Sequence, residues 1–308
     1  MSATERATDA PETSVSVVVP HYNDLAGLSA CLDALGRQTL VPDEIIVADN
    51  ASPQGEAAVA AAIAGRGRLV VIAERGAGPA RNGGVAASTG RLLAFTDSDC
   101  VPEPGWLEAG LAALRTADFV GGAMRVLVAD EPRLTPSEAF ERVFAFDNRD
   151  YVERKGFTVT ANLFCARTLF DDVGGFRTGV PEDLEWCGRA QARGYRIGYA
   201  PDAVVGHPAR RTWPELQRKW ARLNAEAFGM ARAQPRGRWR WLLKALALPA
   251  SALAHTPRAL TSPALSAPID RWNAAKTLWR LRWWRMTDSL RLLQTSPPAP
   301  PAPEQTIP

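Results

Sequence analysis

The sequence predicts an α/β fold: a doubly wound, mostly parallel sheet with helices on both faces, followed by a basic helical extension. Three observations predict it. Apolar runs rich in β-branched residues alternate with amphipathic segments from residue 14 to about residue 208, as strands and crossover helices do. The first, second and fourth of these runs end in polar clusters, PHYN, ADN and TDSD, where an open sheet gathers its ligands. Beyond residue 206 the charge reverses: residues 1–206 hold 19 Lys+Arg against 28 Asp+Glu, and residues 207–308 hold 17 against 5.

SVSVVVP (14–20) reads as a buried strand ended by Pro20, and residues 25–38 repeat Leu25, Leu28, Cys31, Leu32 and Leu35 at helical spacing. DEIIVADN is a second strand, residues 56–64 a second helix and RLVVIAE a third strand. A glycine-rich loop, GAGPARNGG, then leads into a helix ended by Gly90. RLLAFTDSD is a fourth strand running into an acidic turn, followed by a helix over 106–116 and a strand pair or bent strand at DFVGGAMRVLV. The spacing predicts one helix over 137–152. ANLFCART, a turn at Gly174 and Gly175, a helix in PEDLEWCGRAQARGY and a strand in RIGYAPDAVVGH complete the globular part. Residues 1–13 read as a disordered tail without a secretory signal, 14–208 as the globular domain, 209–294 as the basic extension and 295–308 as a Pro-rich disordered tail.

Cys31, Cys100, Cys165 and Cys187 form no CxxC pair, which speaks against a zinc ribbon or disulfide scaffold and for reduced thiols in a cytoplasmic protein. Eight of the ten tryptophans follow residue 206 and interleave with arginine. The longest apolar run, WLLKALALPASALA, contains Lys244 and Pro249 and falls short of the roughly 20 residues that span a bilayer. Tryptophan with arginine suits the headgroup level, so the extension is expected to lie on an anionic membrane surface, the inner face of the cell membrane. The alternative is a helical layer packed on the domain with a solvated basic face. No nucleic-acid-binding motif accompanies the charge, so nucleic acid is not an expected partner.

Asp97 and Asp99, two apart in extended chain, point to one side and suit a divalent cation, Mn²⁺ or Mg²⁺, of the kind a nucleotide diphosphate requires. A lone pair of this kind is also ordinary turn chemistry, but its place at a strand end favours the ligand reading. Glu182 and Asp183 follow Pro181 in the first turn of a helix, where acids are stabilised by the helix dipole, and a carboxylate there can also serve as a general base.

The succession VVVPHYND, VADNAS, GPARNGG, TDSD, VGGF and PEDLEWCGRAQARGY, ending in PDAVVGH, resembles glycosyltransferase family 2, whose fold is GT-A, over roughly residues 14–208. The resemblance implies an inverting transfer of a sugar from a nucleotide diphosphate to a hydroxyl acceptor, in cell-surface glycan or polysaccharide biosynthesis. It implies that Pro20, Tyr22, Asn23 and Asp49 line the nucleoside pocket and that Arg81, Asn82, Asp97 and Ser98 approach the nucleotide sugar. By the same resemblance Asp99 ligates the metal, with Asp97 and His207 beside it, and Asp183 is the catalytic base with Glu182 as its neighbour. Asn162 and Arg189 fall where acceptor-side residues are expected, and the acceptor is a glycan or a lipid-linked glycan. A uridine nucleotide is the expected donor, with guanosine and thymidine nucleotides as alternatives. Two rivals remain at this point. A nucleotidyltransferase would carry a glycine-rich loop after the first strand, where this chain has PHYND. A non-catalytic sugar-nucleotide-binding scaffold would bind without turnover.

Overall fold

The structure, a computed structural model, describes residues 14–294; the expected tails at 1–13 and 295–308 lie outside the described residues. Eight strands form one sheet in the order β3-β2-β1-β4-β7-β6-β8-β5. β1 (Val15–His21), β2 (Glu44–Asp49), β3 (Arg68–Val71) and β4 (Leu92–Phe95) run parallel. β7 (Leu163–Ala166) is antiparallel to both β4 and β6 (Phe119–Leu127), while β8 (Ile197–Pro208) is parallel to β6 and antiparallel to the short β5 (Val101–Pro102). The sheet is therefore mixed, with β7 and β5 running against the other strands. β7 enters reversed between β4 and β6 after the helical excursion of residues 136–162, and β8 then returns parallel to β6.

Two apolar layers flank the sheet, as the alternation along β1 requires. Val15, Val17 and Val19 pack against α1 (Leu25–Leu35), α2 (Glu56–Ile63) and α4 (Trp106–Ala113). Val18, on the opposite face, packs with Val85 of α3 (Ala77–Ala87), Phe170 of α7 (Arg167–Val173) and Trp186 of α8 (Glu182–Ala192).

A segment expected as a loop and one expected as a single helix differ in the structure. GAGPARNGG is largely helix, since α3 begins at Ala77 after Gly76, whose φ is +132°. Its glycines serve close packing: a Cβ at Gly84 would stand 2.5 Å from Val18 Cγ1, and one at Gly83 2.2 Å from Ile72 Cδ1. The single helix expected over 137–152 is broken into α5 (Pro136–Phe144) and α6 (Asn148–Lys155). Thr135 and Glu138 close a capping box at the start of α5, and Asp147 caps α6 by accepting from the Asp150 N–H.

After β8 the chain is helical: α9 (Trp213–Arg232), α10 (Gly237–Leu246), α11 (Leu248–Leu260) and α12 (Pro268–Gln294). α5 carries the joint between these helices and the rest. Its Ala139 and Val143 bury against Ala259, Ala274 and Ala275, and its Phe140 against Leu216, Ala252, Leu278 and Leu281. No helix among the described residues is long and apolar enough to cross a membrane.

Candidate active site

The crevice opens between β1 and β4, where the strand order reverses. Pairing between them ends at Val18↔Phe95, two residues before Pro20, which has no N–H to extend the ladder. Pro20 is buried, Tyr22 stands 54% exposed, and Asn23 holds a positive φ of 57° with its N–H donating to Ser52 Oγ at 2.9 Å. Asp49, at the end of β2, is 1% exposed and fully engaged. Its carboxylate takes the His21 Nδ1–H at 2.8 Å, the Ser52 hydroxyl, and the Ser52 N–H at 3.0 Å. His21 Nε2 in turn accepts from the Asp24 N–H at 3.2 Å, which sets the tautomer. Asp49 thus braces the crevice wall through His21, part of the PHYN cluster expected at the end of the first strand, and through Ser52, which the sequence reading did not single out.

β4 stops at Phe95, and the Cys100 N–H donates to Asp97 O at 3.0 Å, so TDSDC is a turn rather than a strand. The period-two expectation that Asp97 and Asp99 face one way does not apply, and the two carboxylates have different partners. Asp97 accepts from Arg81 Nη2 at 2.6 Å. Arg81 also donates through Nη1 to Glu182 Oε2 at 3.1 Å, and its side chain is 5% exposed. One buried guanidinium therefore joins the end of β4 to the first turn of α8. Burial alone would lower the Arg81 pKa, but the surrounding Asp97, Glu182 and Asp183 carboxylates overcome it and raise the value.

Asp99 faces the other strand end. β5 pairs antiparallel with β8, Val101 opposite Gly206, which brings the preceding turn beside His207. His207 Nδ1–H donates to Pro208 O at 2.8 Å, so the lone pair of Nε2 is left toward Asp99 Oδ2, 3.6 Å away. Asp99, Cys100 and His207 have potential ligand atoms within 4.8 Å of one another. A carboxylate oxygen and an imidazole lone pair facing each other fit a divalent cation, and the Nδ1–H bond to a backbone carbonyl orients the ring for it. Cys100 is 0% exposed and burial pushes its thiol well up, which leaves a protonated sulfur next to a hard-cation donor set. Cys100 was expected only as one of four reduced thiols, although its place directly after Asp99 was visible. Ser98, between the two acids, is 8% exposed.

Asp183 Oδ1 accepts the Thr160 N–H at 3.0 Å. Burial raises its pKa above the usual carboxylate value, with Asp97 adding to the rise and Arg81 opposing it. Glu182 is raised as well, by burial first and by Asp183 and Asp97 next, against Arg81. A carboxylate of raised pKa in this position is a stronger proton acceptor once ionised.

Three expected contacts have partners within the protein. Asn162 is 0% exposed and bonds Trp106 Nε1 at 2.9 Å, Ala123 O at 2.8 Å and Ala203 O at 2.9 Å. It ties α4 to β6 and β8 at the β-bulge after Gly122, so no group remains for an acceptor. Arg189 forks onto Glu185 at 2.8 and 3.0 Å and caps the carbonyls of Val173, Gly174 and Gly175, locking the turn before α8. Asn82 clamps the backbone of Phe176 by a reciprocal pair of 2.8 Å bonds. These are bracing roles that local sequence could not separate from ligand contacts.

α9 supplies side chains that the sequence reading did not place here. Lys219 Nζ donates to Glu141 Oε1 at 2.9 Å and lies 5.2 Å from the centroid of Phe146, whose ring is 5.0 Å from His207. Arg222, 65% exposed, lies 3.9 Å from Glu226, and its charge reaches Glu182.

The model of glycosyl transferase family 2 matches residues 16–182, which include both crevice acids and Glu182. The chain belongs to glycosyltransferase family 2. Its chemistry is accordingly sugar transfer. Glycosyltransferase AglE of Haloferax volcanii is 31% identical over 219 residues, covering 68% of this chain and 71% of that protein. The pre-mycofactocin glycosyltransferase of Mycobacterium tuberculosis is 31% identical over 211 residues, 65% of this chain and 44% of its own length. Among solved structures, a mannosyltransferase from Pyrobaculum calidifontis, in complex with GDP-Man and Mn²⁺, superposes with a TM-score of 0.57 at 23% identity, over 91% of this chain and 84% of that one. This family member thus shares the mixed-strand, helix-flanked GT-A-like fold of that enzyme.

Proposed function

We propose that the chain is an inverting, metal-dependent glycosyltransferase that moves a hexose from a nucleotide diphosphate sugar to a hydroxyl of a glycan or lipid-linked glycan. The observation that carries this is the two-sided crevice: Asp99 with His207 on one side, and Asp183 behind the Asp97–Arg81–Glu182 bridge on the other.

The nucleoside enters over the ends of β1 and β2, past Tyr22, Asn23 and the Asp49–His21–Ser52 brace. Asp99 and His207, with Asp97 adjacent, would hold a Mn²⁺ or Mg²⁺ ion against the diphosphate. Such an ion, when bound, stabilises the negative charge of the leaving diphosphate. Asp183 takes the proton of the acceptor hydroxyl as that oxygen forms its bond to the anomeric carbon. The bond from that carbon to the diphosphate oxygen breaks, and the electron pair leaves on the diphosphate. One displacement inverts the anomeric centre. Arg81 is a positioning residue that fixes Asp97 and Glu182 relative to each other, while the Thr160 N–H orients Asp183.

A titration of uridine, guanosine and thymidine diphosphates with and without Mn²⁺ or Mg²⁺, repeated on Asp99→Ala, tests the reading. Metal-dependent binding of one nucleotide that is lost in the variant supports it. Binding that is indifferent to metal and to Asp99 overturns the metal assignment, and binding without transfer to any hydroxyl acceptor favours a sugar-nucleotide-binding scaffold.

A further inference from the structure

One face of α12 is largely exposed and is built of large apolar side chains. Ile269, Trp272, Trp279 and Trp283 fall at intervals of three, seven and four residues, which places them on one stripe, and they are 61%, 55%, 40% and 58% exposed. The opposite stripe, Ala274, Leu278 and Leu281, is buried against α5, α9 and α11. The exposed stripe continues onto α11. Trp279 Nε1 donates to Thr256 Oγ1 at 3.0 Å, and Leu253 and Leu260, one turn to either side of Thr256, are 67% and 38% exposed. Exposed aromatics of this size, contiguous across two helices, exceed the scattered apolar residues of an ordinary surface.

We infer that the α11–α12 face docks on an anionic phospholipid bilayer, its tryptophans at headgroup depth and its basic side chains against lipid phosphates. Charge complementarity selects this occupant: residues 207–308 carry 17 Lys+Arg against 5 Asp+Glu. Lys276 stands within the stripe and Arg280 beside it, both exposed. A second copy of this chain would bring that same positive charge against itself. Tryptophan fits the boundary layer because its ring is apolar while its N–H keeps a hydrogen bond, as that of Trp279 does here. No helix here is long or apolar enough to span, so the association is with the surface.

The face is also near the crevice. Trp213 of α9 lines a groove with Trp279, Arg280, Trp283 and Trp284, its ring 4.0 Å beneath the Arg280 guanidinium. Six residues later on that helix, about 9 Å at 1.5 Å per residue, Lys219 reaches the aromatic ring that abuts His207. Docking would therefore hold the diphosphate end of the site close to the bilayer surface, which deepens the lipid-linked acceptor reading and rests on it only for that consequence.

Flotation of the full chain with vesicles tests the docking without any sugar transfer, so its failure leaves the donor and metal reading untouched. Vesicles of phosphatidylcholine alone are compared with phosphatidylcholine mixed with phosphatidylglycerol. The expected result is binding to the mixed vesicles only, reduced by about tenfold or more in Trp272→Ser/Trp283→Ser, retained in Trp272→Phe/Trp283→Phe, and reduced by about fivefold or more in Lys276→Glu. Unchanged nucleotide binding in all variants shows that they fold. Equal vesicle binding by the serine variant, or no binding to either vesicle, overturns the inference. A concentration-dependent dimer that the serine variant abolishes, in a chain that ignores vesicles, assigns the face to a second copy instead.

Discussion

Asp183 and Arg81 illustrate how a side chain's chemistry is set by what surrounds it. Half-buried Asp183 has its pKa raised by loss of solvent, and the same surroundings strengthen it as a base once ionised. Asp183→Asn keeps the Thr160 contact but cannot take a proton, so kcat is expected to fall by about 10²–10⁴-fold with nucleotide affinity unchanged, read by steady-state transfer and calorimetry. The pH profile follows from the sign of the shift. A base must be deprotonated to act, its pKa is raised, and so the acid limb of kcat/KM should lie above the usual carboxylate range. That limb should vanish in the asparagine variant. Asn162 carries the opposite lesson. Its amide serves Trp106, Ala123 and Ala203 inside the sheet, so Asn162→Leu should cost about 3 kcal/mol by leaving those groups unpaired, seen in urea unfolding. The partners of Asp183 and Asn162 distinguish a chemical role from a bracing one.

At the level of elements, the strands and most helices were legible because their signals are local. The alternation in β1, the helical spacing in α1 and the acids at the start of α8 each lie within one short window. The GPARNGG segment was misread as a loop because glycine lowers helix propensity, whereas here the missing side chains let α3 approach β1. Gly84→Ala therefore places a methyl 2.5 Å from Val18 Cγ1 and should destabilise by about 1–3 kcal/mol despite alanine's better helix propensity, measured as a lower unfolding midpoint. The strand expected through Asp99 failed for a related reason. Polar residues at a strand end do not announce where pairing stops, and here the proline of β1 ends it.

For the whole molecule, α5 is the element on which the halves depend. Ala139, Phe140 and Val143 bury against helices that follow residue 208, and Glu141, 1% exposed, is neutralised by Lys219 from α9. A chain ended after Pro208 would expose that apolar face and leave Glu141 without its lysine. It should aggregate or lose cooperative unfolding in calorimetry, whereas an isolated surface extension could be removed without loss. The expected alternatives for the basic helices, packed layer or membrane surface, are compatible in this arrangement, since one stripe of α12 is buried and the other is bare.

The family, the approximate place of each strand and the acids of TDSD and PEDLEW were present in the order of motifs from VVVPHYND to PDAVVGH, because each motif is short and its chemistry is local. The pairing of those acids was not. Arg81 and Glu182 are 101 residues apart in the chain, and Asp99 meets His207 only because β5 and β8 run side by side. Which carboxylate faces an arginine, which faces a histidine and which asparagine is sealed in the interior depend on packing between distant segments. A sequence window holds no record of those distances, and a folded sheet does.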